Sequence, residues 1–243
     1  MSGSDHLRVF CAIDTGDIDV AVSIADEVRE HVRGVKLGLE FFGKHGPNGV
    51  RRFLDVGLSV FLDLKFFDIP NTVSGAVAAV AQCQPAMITV HAAGGSDMMK
   101  AAVDSNQEEA AKLGMDPPLL LGVTVLTSFG AKDLASAGVV GTVDDQVFRL
   151  AALSEANGLD GVVCSAHELG RLRPGCDAGF KLIVPGIRPR GVESNDQKRI
   201  VTPSEAIQAG ADFLVVGRPI TQAANRSQAA KDISTEVQEA LGF

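Results

Sequence analysis

Short apolar runs recur along the whole chain, and each is only four to seven residues long. Runs of this length and hydrophobicity are typical of strands that are buried on both faces of a parallel sheet. The eight strands predicted in this way are Arg8–Asp14, Val35–Gly38, Leu58–Leu64, Met87–His91, Leu119–Val125, Gly161–Cys164, Phe180–Pro185 and Phe213–Gly217.

Most of these runs are followed by a longer segment with helix-like spacing of apolar residues. The predicted helices are Ile18–Val32, Asn71–Gln82, Asp97–Leu113, Asp144–Asn157 and Thr221–Ala240. Two more helix starts are marked by capping boxes, which begin at Ser165 and at Thr202. In the second of these, Pro203 takes the first helical position, where a missing N–H costs nothing.

Eight strands that alternate with helices predict an α/β protein, a (β/α)8 TIM barrel that forms a single domain over residues 1–243. The length fits, since such barrels have about 250 residues, although two small domains would also fit. An open, doubly wound parallel sheet is the alternative. It is disfavoured because no GxGxxG motif follows the first predicted strand.

Composition and charge narrow the classes of partner. The net charge of −8 argues against nucleic acid, whose binding requires a basic surface. It leaves room for a small anionic substrate, because a few cations can dominate one pocket. The four cysteines form no CxxC pair, and no apolar stretch approaches the ~20 residues needed to span a bilayer. Since no signal peptide is apparent either, we expect a cytoplasmic protein without a membrane partner or a zinc site.

Polar residues interrupt or follow the predicted strands near their carboxyl ends, where barrel enzymes carry their chemistry. Chance would give one or two such residues, and it does not easily give so many at the same end. They are Asp14, Lys36, Asp63, Lys65, His91, Thr127 and Arg218.

The third predicted strand is the most highly charged. Side chains alternate along a strand, so Asp63 and Lys65 are expected to point together toward the barrel axis. Asp68 follows the strand, and Pro70 suits the first turn of the next helix. Buried charges are costly unless paired, and Lys36 would add a second cation to an alternating array that keeps Lys65 charged. A structural ion pair that closes the barrel mouth is the alternative interpretation.

The last two predicted strands suggest a phosphate site. Gly217 would let a phosphate approach the main chain, and Arg218 could bind two of its oxygens. The segment from residue 185 to residue 197 is long and polar, and the loops after strands seven and eight are the usual phosphate site of such barrels. Taken alone, Arg218 could equally be a surface ion-pair partner.

The sequence DLKFFDIPNT at residues 63–72 resembles the central motif of the orotidine 5'-phosphate decarboxylase family. The resemblance extends over nearly the whole chain and includes PGIR at residues 185–188 and GRP at residues 217–219. The DxKxxD core alone is shared by related sugar-phosphate barrels, whereas the longer motif is specific. The resemblance implies decarboxylation of orotidine 5'-phosphate to uridine 5'-phosphate in pyrimidine biosynthesis, without a cofactor.

The resemblance also implies roles for single residues at the reacting end of the substrate. Lys65 would protonate C6 of the pyrimidine, and Asp63 would lie beside the departing carboxylate. Lys36 and Asp14 would contact the ribose hydroxyls. Thr127 would touch the pyrimidine ring.

Further roles concern the phosphate and a second subunit. Arg218 would bind the phosphate together with Gly217, Gln197 would link base and phosphate as its loop closes, and Arg188 is a weaker phosphate candidate. Asp68 and Thr72 would reach into the site of a partner subunit, which predicts a homodimer with shared active sites.

Phe67 and His91 have separate interpretations. Phe67 stands where many bacterial relatives carry His, and His91 is most simply a hydrogen-bonded structural residue.

Two rival functions would also fit parts of the sequence pattern. A metal-dependent sugar-phosphate aldolase or decarboxylase is the first rival, but Lys36 would repel its cation, so we expect no metal. A non-catalytic phosphate-binding barrel is the second rival, and it would leave the charged array without a purpose.

Overall fold

A computed structural model describes residues 7–189 and 201–242. The hydrogen-bonding order of its strands runs from the first to the eighth and closes a barrel. This order confirms the predicted (β/α)8 fold and excludes the open, doubly wound sheet. The strands are β1 Val9–Ile13, β2 Gly34–Gly38, β3 Ser59–Phe66, β4 Met87–His91, β5 Leu119–Val123, β6 Gly161–Val163, β7 Lys181–Pro185 and β8 Phe213–Val216.

Helices follow the strands in alternation. They are α1 Ile18–Val28, α2 Leu39–Leu54, α3 Pro70–Ala81, α4 Gly95–Leu113, α5 Ala131–Ser136, α6 Val143–Ala156, α7 Leu169–Gly175, α8 Pro203–Gln208, α9 Arg218–Thr221 and α10 Arg226–Leu241. Both predicted capping boxes are present, at Ser165 before a short 3-10 helix and at Thr202 before α8. Within the described ranges, no helix is both long and apolar enough to cross a bilayer.

Helix α2 is the one long element that the sequence pattern did not predict. Its 16 residues include Pro47 and several glycines, which are poor helix formers. The helix is kinked where Gly46 adopts φ 54° and ψ −154°, a conformation that glycine tolerates. Two predicted helices were also too long, because α1 ends at Val28 and the last helix begins at Arg226 after an asparagine cap.

The chain divides into two compact units, which are Met1–Asp63 with Val184–Phe243, and Leu64–Ile183. The single domain over residues 1–243 therefore stays a prediction. In the first unit, β1 lies between β2 and β8, and β2 pairs with β3 in parallel. The register sets Gly38 at the end of β2 opposite Asp63 on β3.

The core of the first unit is built on an aromatic cluster. The Phe10 ring lies 6.0 Å from the Phe61 ring and 5.8 Å from the Phe213 ring, in edge-on geometry. Phe10 and Phe61 are fully buried, and burial of such a side chain contributes about 1.5–3 kcal/mol. This packing fixes the strands whose carboxyl ends carry the polar residues of the unit.

In the second unit, β4, β5 and β6 pair in parallel, with His91 opposite Val123 at the carboxyl ends of β4 and β5. One buried polar side chain interrupts the apolar β4, since Thr89 is fully inaccessible to solvent between buried Ile88 and Val90.

Candidate active site

Lys36 forms the centre of a charge cluster in the first unit. Its Nζ lies 3.3 Å from Asp14 Oδ1 and 3.7 Å from Asp63 Oδ2. The Lys36 and Asp63 side chains are only 12% and 14% exposed, whereas Asp14 is open to solvent. Lys36 and Asp63, the first two members of the predicted array of alternating lysines and aspartates, therefore form an ion pair in this unit.

A cavity of about 210 Å³ opens beside the cluster. It brings together five of the residues that the sequence singled out. These residues are Asp14, Lys36, Arg188, Gly217 and Arg218. Three cations and one carboxylate line the cavity, and Asp63 lies 3.7 Å from one of these cations, so positive charges outnumber negative ones by one and an anionic ligand is favoured.

Arg188 is the most deeply buried arginine near this cavity, at 8% exposure. Its main-chain N–H donates to the Val201 carbonyl oxygen at 3.2 Å. Its Nε finds no hydrogen-bond partner among residues 7–189 and 201–242. Buried guanidinium nitrogens are almost always satisfied, so an anionic ligand in the cavity is a natural partner. Gly186 makes the preceding turn possible, because its φ of 79° is left-handed.

Gly217 and Arg218 follow β8 directly. The Gly217 carbonyl oxygen accepts the N–H groups of Ile220 and Thr221 at 2.8 and 3.0 Å, which starts helix α9 at Arg218. The chain therefore turns sharply at the end of β8, and both residues line the cavity. This is where the sequence predicted phosphate contacts.

In the second unit, Lys65 has an unusual main chain. Its φ is +50°, although it lies within β3. The extended backbone on which the alternation of side chains depends is thus interrupted at this residue. The Lys65 N–H donates to Thr89 Oγ1 at 2.8 Å. Thr89 is not among the residues that the sequence pattern predicted, although a hydroxyl residue inside the apolar β4 is a signal that could have identified it.

His91 lies at the end of β4 and caps the short 3-10 helix Ala92–Gly94, because its Nδ1 accepts the Ala93 N–H at 3.3 Å. Its ring lies 5.4 Å from the Phe67 ring. Burial lowers the pKa of His91 below its ordinary 6.5, and the positive charge of Lys65 lowers the pKa further. His91 is therefore largely neutral at pH 7, and its hydrogen bond to Ala93 agrees with the expected hydrogen-bonded residue.

The segment from residue 67 to residue 72 is exposed throughout. Asp68 Oδ1 accepts the Ile69 N–H at 2.7 Å, just before α3 begins at Pro70 as predicted. Large apolar side chains lie on either side of this carboxylate, with Phe67 62% and Ile69 66% exposed. Thr72 is exposed in the first turn of α3.

The two remaining predicted residues are Thr127 and Gln197. Thr127 lies in an exposed turn four residues beyond the end of β5, which is shorter than predicted. Gln197 lies outside the described residues. No group of three or more His, Cys, Asp or Glu side chains in residues 7–189 and 201–242 is arranged to hold a metal ion.

Comparisons with known proteins agree over most of the chain. The model of the orotidine 5'-phosphate decarboxylase / HUMPS family matches residues 7–233. A relative named orotidine 5'-phosphate decarboxylase from Rhodospirillum rubrum is 53% identical over 230 residues, which cover 94% of this chain and 93% of the relative. A relative of the same name from Paramagnetospirillum magneticum is 46% identical and covers 94% and 97%, respectively.

A solved structure agrees with these sequence comparisons. The crystal structure of orotidine 5'-phosphate decarboxylase from Lactobacillus acidophilus superposes with a TM-score of 0.85 at 34% identity. The superposition covers 95% of this chain and 99% of that one.

Proposed function

The chain belongs to the orotidine 5'-phosphate decarboxylase / HUMPS family, and on that premise we propose which of its residues carry out the reaction. The chain is a carbon–carbon lyase that decarboxylates orotidine 5'-phosphate to uridine 5'-phosphate in pyrimidine biosynthesis. The observation that carries the assignment of the site is the cavity in which Lys36, Arg188 and Arg218 face Asp14. Its excess of positive charge suits the phosphate of the substrate.

Lys65 is the proposed proton donor. When the bond between C6 and the carboxylate breaks, the electron pair stays on C6 in an sp2 orbital that the ring delocalises poorly. A fixed ammonium stabilises this charge electrostatically. It then transfers one proton from Nζ to C6, which leaves a neutral amine that regains its proton from solvent. The step balances without an oxidant, a reductant or an electron sink, so we propose that no cofactor takes part.

Asp63 is proposed to lie beside the carboxylate that departs. Two carboxylates held close together repel each other, and the repulsion is relieved once neutral CO2 forms. The low exposure of Asp63 supports this role, since little water screens the repulsion. Lys36 at 3.7 Å holds Asp63 in place through an ion pair.

Lys36 and Asp14 are proposed to hold the ribose hydroxyls, with an ammonium as donor and a carboxylate as acceptor. Their distance of 3.3 Å and their position in the lining of the same cavity support this role. Thr127 is proposed to contact the pyrimidine ring through its hydroxyl group.

The phosphate is assigned to Arg218, Gly217 and Arg188. The unpartnered Nε of Arg188 among the described residues and the shared cavity support this assignment. Gln197 is proposed to bridge base and phosphate as the loop after β7 closes. Because the phosphate does not react, its binding energy can be used to organise the reacting end of the site.

We also propose a homodimer in which Asp68 and Thr72 complete the site of the partner subunit. Support comes from the exposed residues 67–72, where Asp68 stands in the sequence between two exposed apolar residues, Phe67 and Ile69. A solvent-facing Phe67 and Ile69 are costly in a monomer and suit an interface between copies of this chain.

A metal-dependent reaction is disfavoured by the contacts of Lys36. Its ammonium lies within 4 Å of both Asp14 and Asp63, so it occupies the space beside the carboxylates that a metal cation would use and would repel that cation. A cytoplasmic location is proposed as well. All four cysteines are free, and three of them are buried, which fits a reducing compartment.

The decisive experiment measures CO2 release and the loss of orotidine 5'-phosphate absorbance with the purified protein. We expect turnover that a chelator does not change, and no turnover with Lys65→Ala, whose circular dichroism should match the wild type. A Lys65→Ala variant that retains turnover within tenfold would refute the role of Lys65. Binding of uridine 5'-phosphate without any CO2 release would instead indicate a phosphate-binding barrel.

A further inference from the structure

We propose that Thr89 is a positioning residue that holds the main chain of Lys65 in its unusual conformation and thereby aims the catalytic ammonium. The inference rests on the proposed role of Lys65 as proton donor. Thr89 itself need not touch the substrate. It acts on Lys65 by accepting a hydrogen bond from the Lys65 N–H to its Oγ1 at 2.8 Å.

The first support is the backbone of Lys65. A φ of +50° is rare for a residue with a side chain, because the Cβ then crowds the main chain. Only two non-glycine residues in the described ranges have positive φ, and the other, Gln84, lies in the connection after α3. Such conformations persist where the surrounding structure imposes them, and they are concentrated at functional sites.

The second support is the nature of residue 89. Thr89 is fully buried between Ile88 and Val90, in a strand that is otherwise apolar up to His91. A buried hydroxyl is costly unless it forms hydrogen bonds, and valine would have nearly the same shape without that cost. Its bond to Lys65 gives the hydroxyl a specific use.

The third support is rigidity. A threonine side chain is branched at Cβ and has few rotamers, so its Oγ1 is a fixed acceptor. It lies on β4, whose partner β5 sets Leu121 opposite Thr89. A fixed acceptor on a paired strand is suited to hold a neighbouring main-chain N–H in one place.

The hydrogen bond to Thr89 thereby sets the direction of the Lys65 side chain. Without the acceptor, the main chain can return to an extended conformation, which redirects the side chain. A displacement of about 1 Å in a catalytic group can cost about 100-fold in rate. Substrate affinity depends mainly on the phosphate and ribose contacts, so it should change little.

The test compares Thr89→Val, which removes the acceptor, with Thr89→Ser, which keeps it. Thr124→Val is the matched control. Thr124 is also buried, and its hydroxyl donates to the Val163 carbonyl oxygen at 3.0 Å. Each variant is assayed for kcat, KM and unfolding by urea, and Lys65→Ala is assayed in parallel.

We expect Thr89→Val to lower kcat about 100-fold with KM within about threefold, and Thr89→Ser to restore kcat to within about threefold of the wild type. Thr124→Val should lose comparable stability while keeping its kcat. If Thr89→Val does not fold, Thr89→Ala takes its place. A crystal structure of the valine or alanine variant should show Lys65 with negative φ.

The inference is overturned if the valine variant keeps the wild-type kcat, if serine fails to rescue, or if Thr124→Val loses as much kcat. It is distinguishable from the proposed function. An active Lys65→Ala would remove the premise, whereas an inactive Lys65→Ala together with a fully active Thr89→Val would overturn only the role of Thr89.

Discussion

Lys36 Nζ lies 3.7 Å from Asp63 Oδ2, and both side chains are largely withdrawn from solvent, at 12% and 14% exposure. In such surroundings neither charge is well hydrated, so the ion pair stabilises both. The pair links β2 and β3 at the end where barrel enzymes carry their chemistry. Removing one partner should therefore affect both stability and turnover.

Lys36→Met is predicted to lower kcat/KM by about 100-fold or more, because it removes a proposed ribose contact and leaves Asp63 without its ammonium. The free energy of unfolding should fall by about 1.5–3 kcal/mol at neutral pH, since a poorly hydrated carboxylate loses one charged neighbour. Steady-state kinetics and urea unfolding measure the two effects. Lys112→Met is the matched control, because Lys112 pairs with Glu109 in α4 at 66% exposure. Equal losses in both variants would contradict the prediction.

Arg218→Ala and Arg188→Ala are predicted to weaken phosphate-bearing ligands selectively. A hydrogen bond to a charged group contributes about 1.5–3 kcal/mol, so each change should weaken binding of uridine 5'-phosphate roughly 10-fold to 100-fold. Binding of uridine should hardly change. Calorimetry with both ligands provides the comparison. Arg171→Ala is the control, because this half-exposed arginine pairs with Asp145 at 2.8 Å. Equal loss of affinity for nucleoside and nucleotide would count against a phosphate site.

The sequence was a good guide to the barrel for a physical reason. Strands that are buried on both faces must be continuously apolar, and all eight predicted strands exist with ends within two residues of the prediction. The charged residues at their carboxyl ends are conspicuous against that background. This is why the sequence pattern alone singles out Asp14, Lys36 and Arg218 as candidate site residues.

Helix α2 and the backbone of Lys65 cannot be predicted from the local sequence pattern. Helix α2 was missed because its glycines and Pro47 lower its intrinsic propensity, whereas packing of buried Phe41 and Phe53 overrides that cost. The φ of Lys65 is a product of tertiary contacts, since lysine gives no sign of it. The partner of Lys65, Thr89, lies 24 residues further along the chain, beyond the reach of any periodicity.

Two partly buried groups are predicted to give the stability of the fold opposite dependences on pH. Burial raises the pKa of Glu168 from 4.5 to about 7, so its contribution to stability is present below pH 4.5 and is lost as the pH rises through about 7. The pKa of His91 is lowered from 6.5, so its contribution is present above pH 6.5 and is lost as the pH falls below that value.

Urea unfolding between pH 5 and 8 tests this pair of effects. Glu168→Gln should remove part of the loss toward pH 8 while its side-chain oxygen still accepts the Ser165 N–H, a bond of 2.8 Å in the parent. His91→Asn should remove part of the loss toward pH 5. Variants whose stability curves run parallel to that of the wild type across this range would show that neither group is linked to folding.

The proposed sharing of sites between subunits predicts that two inactive variants complement each other in mixed dimers. Asp68→Ala and Lys65→Ala should each be inactive, yet mixing them should restore activity. If Asp68 serves the partner's site, each hybrid dimer contains one site with both residues intact. With random exchange half of the dimers are hybrids, so activity should reach about a quarter of the wild-type value. Mixing Lys65→Ala with Asp63→Asn is the control, because both residues are assigned to one subunit and no hybrid site would be whole. No recovery with Asp68→Ala after verified exchange would show that Asp68 acts within its own subunit. Recovery in the control would show that Lys65 and Asp63 do not have to come from the same subunit, which would overturn the assignment on which this test depends.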